Sequence, residues 1–253
     1  GLLSAVLLPI AWLWLPESID FLMTRQPKGA LRKVNAVLAR LDLPALDTLP
    51  ETISAGGDKM AALREIASPA HRVEIARLCV AHALNMFSFY FIINWATKWV
   101  TELGFSTTAG ISYSIYVSIG GIVGALVTGW IAGRVGVKRM VLVMLCGVAG
   151  MIMIFGQLTR LPALIVNALL LGAMLFGSAA PCWLTIAYAY PAQLRATGLG
   201  VATAFGRIGS VFGPLTAGYL LAGGMSRPLI CILLALPAIG AALIFATARR
   251  ASH

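Results

Sequence analysis

The chain has 253 residues, 59% of them apolar and 11% charged, with a mean hydropathy of +0.89. That composition excludes a soluble globular domain and describes an all-α polytopic membrane protein. Nineteen Lys and Arg against nine Asp and Glu give a net charge of +10. Their distribution along the chain assigns that charge to membrane topology and argues against nucleic-acid binding.

Residues 1–15 are apolar and predict the end of a transmembrane helix whose beginning is absent, so the chain reads as a fragment. A cleaved signal peptide is the alternative, but no basic n-region or small-residue cleavage site accompanies it. Residues 16–74 form the one long hydrophilic segment and carry eight of the nine acids. Within it, Lys28–Leu41 places Leu31, Val34, Val37, Leu38 and Leu41 on one helical stripe, with Arg32, Lys33 and Arg40 off it. Such a helix is expected to rest on a membrane face or cap a helical bundle. Thr48–Asp58 is turn-forming.

Residues 75–248 predict a six-helix transmembrane bundle. Its apolar runs are Leu78–Trp95, Ile111–Ala132, Met140–Leu158, Ala163–Tyr190, Thr197–Leu221 and Pro228–Ala246. Residues 249–253 are a short tail. Fifteen of the nineteen cations fall in the long segment, in the connections on its side, or in the tail. Lys98, Arg160 and Arg227 lie opposite, and Arg207 lies inside a span. That bias predicts a cytoplasmic long loop and C-terminus.

Cys79, Cys146, Cys182 and Cys231 each fall in a different span, where a thiol behaves as a small hydrophobe; no metal or cofactor is expected. The second and fifth spans are rich in glycine, with GxxxG pairs at Gly120/Gly124 and Gly209/Gly213 that permit close helix approach in lipid. Their positions fit a three-plus-three repeat.

Arg207 is the most informative residue. It lies roughly 15 Å along an otherwise uncharged run, close to the middle of a ~30 Å hydrocarbon slab. Ionisable groups at that depth face a bundle interior or a wet cavity and mark a solute path. No Asp or Glu follows Glu102 to neutralise it. Two roles fit: an anchor for an anionic solute, or a partner for a carboxylate on helices outside this chain.

Three segments resemble the major facilitator superfamily, and specifically the second half of its aromatic-acid/proton symporters. Leu15-Pro16-Glu17-Ser18-Ile19-Asp20-Phe21-Leu22 resembles the PES-x-x-FL signature closing the sixth helix of such carriers. Residues 129–139, with Gly129, Gly133, Arg134, Gly136, Lys138 and Arg139, resemble the G-x-L-x-D-R-x-G-x-K-R gating loop between the eighth and ninth helices. Tyr190-Pro191 through Arg195-Ala196-Thr197-Gly198, followed by Gly206-Arg207-Ile208-Gly209 and Gly213-Pro214, resembles the YPxxxRATG…GRIG…GP pattern of the tenth and eleventh helices. Asn85, Tyr90 and Trp95 resemble the N-x4-Y-x4-W pattern of the seventh helix in aromatic-acid carriers; the paired glutamines of sugar porters are missing from residues 79–84. Gly133 stands where the loop usually has an acid, and Thr97 where the seventh helix often has proline.

The resemblance implies a twelve-helix carrier of the bacterial inner membrane, of which this chain is the C-terminal six-helix half with the end of helix six and the central loop. It implies import of an aromatic or other organic acid with protons by alternating access. In that reading Arg207 holds the anion, while Asn85, Phe89, Tyr90 and Asn94 line the path, and Gly129, Gly133, Arg134, Gly136, Arg139 and Arg195 belong to the inner gate. The partners expected are a small organic anion, protons, the bilayer and an N-terminal six-helix half, with no nucleic acid. His82 is the one titratable group in a span besides Arg207, the cysteines and the tyrosines, and reads as a satisfied structural histidine; Trp183 reads as packing. The carrier of the coupled proton is then a carboxylate outside this chain. A sugar or polyol porter and a truncated, non-transporting membrane protein are the alternatives; a membrane enzyme is disfavoured because His82, the one candidate, has no nearby acid.

Overall fold

A computed structural model of the chain describes residues 26–40, 43–49, 64–69, 71–191 and 194–248, together with Pro9 and Leu22. The sixth-helix signature at residues 15–22, most of the turn-forming Thr48–Asp58 stretch and the tail at 249–253 lie outside the described residues, Leu22, Thr48 and Leu49 apart. The chain divides into two compact units, residues 1–59 and 60–253.

In the first unit, α1 (Ala30–Arg40) buries Ala30 and Val34 and half-buries Leu38, with Leu22, Leu46 and Leu49 against them. Arg32 and Lys33 are exposed, so the amphipathic pattern works as the sequence implies. The Asn35 side chain fixes the returning strand of chain, donating to the Leu46 carbonyl and accepting from its N–H, both at 2.9 Å.

The described residues of the second unit build α2 (Arg72–Glu102), α3 (Thr107–Val135), α4 (Val137–Gln157), α5 (Leu161–Gly177), α6 (Ala179–Tyr188), α7 (Arg195–Ala222) and α8 (Arg227–Ala246), joined by short turns. The α5–α6 pair is one span broken at Ser178. Pro181 has no N–H for the Gly177 carbonyl, and the Ser178 hydroxyl bonds back to Leu175 O at 2.7 Å. Five spans are long and apolar enough to cross a membrane by length and composition: α2, α3, α4, α5–α6 and α8. The sixth expected span, α7, has 28 residues, about 42 Å of helix. Arg207 near its midpoint and its many glycines keep it less apolar than the others.

Small residues decide which helices meet. A methyl at Gly209 or Gly213 of α7 would overlap the Ala83 or Phe87 carbonyl of α2, and one at Gly120 or Gly124 of α3 would overlap the Leu169 or Ala173 carbonyl of α5. Backbone thus packs directly on backbone in both pairs. The first span pairs with the fifth and the second with the fourth, as two three-helix repeats exchange partners. The third and sixth spans, α4 and α8, pack on one another.

Two aromatic and aliphatic clusters fill the bundle. Toward the C-terminal end of α2, Phe91, Trp99, Tyr113 and Phe155 interlock at ring separations of 5.2–6.1 Å. Toward its N-terminal end, Leu78, Leu145, Tyr190 and Phe245 are fully buried. Between α3, α4 and α5 the Tyr113 hydroxyl donates to Asn167 Oδ1 at 3.0 Å, and Asn167 Nδ2 donates to Met151 O at 3.0 Å. The Tyr113 and Asn167 side chains thus pair with one another and with the backbone, as a membrane interior favours. Three of the four cysteines are buried as expected; Cys146, on α4, is exposed.

A candidate anion cavity between the first and fifth spans

The cavity follows from the α2–α7 contact. With glycines at the seam the two helices run side by side in the same direction, residue 82 facing 206, 87 facing 213 and 95 facing 218. Trp95 fastens the far end by donating its Nε1–H to the Pro214 carbonyl at 3.0 Å, beside the point where proline interrupts the α7 ladder. Nearer the middle the helices leave a cavity of about 150 Å³. Its wall takes His82, Met86 and Tyr90 from α2, Thr203, Gly206, Arg207 and Ser210 from α7, and Trp183 from α6. Steps of four on α2, and of three and four on α7, put each set on one helical stripe.

Arg207 is exposed, and its side chain makes no hydrogen bond or ion pair among the described residues. The ion pairs found among those residues lie at the ends of α2: Glu74 with Arg77 at 3.2 Å and Glu102 with Lys98 at 3.7 Å. The cavity therefore has a positive wall, with an indole, a phenol and a thioether around it.

His82 differs from its reading in the sequence. It is 3% exposed, and its Nδ1 is sealed from solvent without a hydrogen-bond partner. The ring packs closely on the glycine opposite: a Cβ at position 206 would lie 2.5 Å from His82 Cδ2 and 2.9 Å from Nε2, so the ring would have to shift. Trp99 Nε1, Tyr190 Oη and Arg227 Nη1 are also buried without a partner among the described residues, but of the four groups His82 is the one in the cavity wall.

Of the other residues singled out by sequence, Tyr90 joins Arg207 in the cavity wall. Asn85 is buried outside the wall, one residue short of the 82–86–90 stripe. Phe89 turns to α5, edge-on to Phe176 at 5.2 Å, and touches Tyr90 at 5.5 Å. Asn94 is exposed and returns its Nδ2–H to the Tyr90 carbonyl of its own helix at 2.8 Å. Thr97 bonds Ser114 of α3 at 2.6 Å, joining the first two spans. Trp183, read as packing, lines the cavity and is about half exposed. Met86, Thr203 and Ser210 carried no chemical signal of their own; only their register with His82, Tyr90 and Arg207 marks them.

The gate residues collect at the opposite end of the bundle from Trp99. Gly136 has φ +89°, a left-handed conformation that ends α3 and starts α4, and that residues with a Cβ rarely adopt. Gly129 and Gly133 have open space where a Cβ would stand, and Arg139 is exposed. With no acid at position 133, the Arg134 guanidinium lies over the Trp130 ring at 4.4 Å. Arg195 donates to the Tyr190 carbonyl at 3.3 Å and lies 5.3 Å from the Tyr188 ring. Arg77 and Lys138 donate to the carbonyls of Thr247 and Ala248, just past the end of α8, where cations favour the helix dipole.

The family model described as Major Facilitator Superfamily matches residues 1–214 and 78–253. The gallate transporter of Pseudomonas putida is 30% identical over 245 residues, covering 96% of this chain and 54% of that protein. The 3-(3-hydroxy-phenyl)propionate transporter of Escherichia coli (strain K12) is 28% identical, covering 88% and 48%. The 4-hydroxybenzoate transporter PcaK of Acinetobacter baylyi is 25% identical, covering 96% and 54%. The chain thus spans about half the length of the curated relatives it matches. Among solved structures, a bacterial homolog of the human lysosomal transporter Spinster, inward-facing and unoccupied, has a TM-score of 0.55 at 15% identity, covering 72% of this chain and 44% of that one. That likeness concerns the fold.

Proposed function

The chain belongs to the Major Facilitator Superfamily, and we propose that it supplies the C-terminal half of a secondary carrier for an aromatic or other small organic acid. One observation carries the reading: a guanidinium near the middle of a 28-residue helix lines a cavity and has no partner among the described residues. A carboxylate suits that group, because the planar fork donates two parallel hydrogen bonds where an ammonium offers a point charge. Met86, Tyr90 and Trp183 offer the apolar and aromatic wall that a ring requires. The solutes for which the relatives are named, gallate, 4-hydroxybenzoate and 3-(3-hydroxy-phenyl)propionate, share a carboxylate on an aromatic framework, which supports the same class here. Phe89, behind the wall, backs Tyr90, Asn85 is buried beside the stripe, and Asn94 continues the path along α2.

Transport in this reading is alternating access. A second six-helix half packs over the cavity and the two halves rock about it, with solute bound near the bilayer midplane. Coupling to protons falls to a carboxylate of that second half, since the described spans hold no acid away from the ends of α2. The basic end of the bundle, with Arg134, Arg139 and Arg195 and the glycines at 129, 133 and 136, faces the cytoplasm of a bacterial inner membrane by the excess of Lys and Arg there. Sequestering the anion on Arg207 while the proton binds elsewhere lets each ligand favour a different arrangement of the halves.

Uptake of labelled benzoate-type acids by the native carrier tests this, with Arg207→Ala and Arg207→Lys beside it. Removing one member of a desolvated charge pair costs about 2–5 kcal/mol, so Arg207→Ala weakens apparent affinity by at least about thirtyfold. Arg207→Lys, which keeps charge but not the fork, falls between. Unchanged affinity in both variants overturns the anchor.

A further inference from the structure

We propose that His82 is a second hydrogen-bond donor to the carboxylate held by Arg207, so that the anion is gripped from two helices; this rests on the reading of Arg207 as the anion anchor. The levels of the two residues carry the proposal. The His82 ring lies against Gly206, and Arg207 is the next residue, one helical rise of about 1.5 Å away. Tyr90, by contrast, stands eight residues, about 12 Å, further along α2. An aromatic acid with its carboxylate on Arg207 therefore meets His82 at its charged end, and Met86, Trp183 and Tyr90 along its ring.

The chemistry of the ring decides what His82 offers. Nδ1 is buried without a partner. A proton there would be an orphaned buried donor, which proteins tolerate less than an unfilled acceptor. The proton of the neutral ring thus belongs on Nε2, the nitrogen beside Gly206 at the cavity wall. A neutral N–H aimed at a carboxylate oxygen makes a charge-assisted bond that the ring hydroxyl of a solute does not match. It also adds a donor without adding a second positive charge beside Arg207. Gly206 is then part of the site, since any side chain there would displace the imidazole.

The test is equilibrium binding of labelled benzoate and 4-hydroxybenzoate to the native carrier in membrane vesicles, comparing His82→Leu, His82→Gln and Arg207→Ala with the unaltered protein. Gln places an amide N–H where Nε2 stood; Leu removes the donor. His82→Leu is expected to weaken both acids about tenfold or more, and His82→Gln to restore binding to within about threefold. The isotope-edited infrared stretch of 13C-carboxylate benzoate is expected to shift in His82→Leu and to return in His82→Gln. Equal binding in His82→Leu, equal losses in both His82 variants, or a loss confined to 4-hydroxybenzoate overturns the proposal, the last because it would put His82 on the ring hydroxyl. If Arg207→Ala binds as the unaltered protein does, the anchor itself is wrong and this proposal falls with it. If Arg207→Ala loses binding and His82→Leu does not, only the second donor is lost.

Discussion

Replacing Gly209 by alanine asks whether the α2–α7 seam is set by backbone contact. A Cβ at that position meets the Ala83 carbonyl oxygen, its carbon and the Phe87 nitrogen, all main-chain atoms that cannot rotate away. Carbon and carbonyl oxygen ordinarily approach no closer than about 3.3 Å, so the helices must separate. A gap of about 0.5–1 Å forfeits a quarter to a half of the dispersion energy of every contact along the seam. Overpacking of this kind costs about 1–3 kcal/mol. At about 2–4 °C per kcal/mol for a chain of this size, Tm falls by roughly 2–12 °C. Gly200 supplies the control, because it lies in the same helix and a Cβ there meets nothing within 4 Å. Gly200→Ala is expected to be neutral or to gain up to about 1 kcal/mol from lower unfolded-state entropy. Thermal unfolding of both variants in one detergent, followed by far-UV circular dichroism, gives the comparison. A Gly209→Ala protein as stable as Gly200→Ala refutes the claim that glycines hold this seam.

The remaining predictions concern single contacts. Arg227→Ala removes two bonds that close the end of α4, to Gly156 O at 3.0 Å and Leu158 O at 2.6 Å, and is expected to destabilise by about 1.5–3 kcal/mol in the same assay; Arg227→Lys, lacking the fork, recovers only part. Tyr113→Phe strands the buried Asn167 Oδ1 and is expected to cost about 1–2 kcal/mol, whereas Ser118→Ala, which removes only a local bond to its own helix, changes Tm little. Gly136→Ala forces a Cβ into a φ of +89° and is expected to cost about 1–2 kcal/mol, while Gly133→Ala, in open space, does not.

The spans were legible because hydropathy and length are linear properties of sequence: five of the six expected runs fall, to within two residues at the ends, inside helices long and apolar enough to cross, and the sixth became α7. The glycine pairs at 120/124 and 209/213 likewise announced close approach, since in lipid few other roles use them so densely. What sequence did not give was which face of α2 turns to α7. Sequence named Asn85, Phe89, Tyr90 and Asn94 on this helix as lining the path, yet of these only Tyr90 joins the wall, beside His82 and Met86. The stripe is chosen by where glycines on the partner let the helices touch, a property of two helices together. His82 was undervalued for the same reason: its stranded nitrogen exists only because Gly206 admits the ring so closely. Trp183 sits on α6, beyond the break at Ser178, and its place in the wall is a property of the assembled helices.

The most direct measurement of the anion site is protection of a thiol in its wall. Thr203→Cys places the thiol one helical turn before Arg207, in a background with Cys146 replaced by serine. A positively charged, water-soluble thiol reagent should modify it in the native carrier, and an aromatic acid should slow that modification with a saturable dependence that disappears when Arg207→Ala is added. Modification that proceeds at one rate with and without the acid, while Arg207 is intact, contradicts an anion held in this cavity.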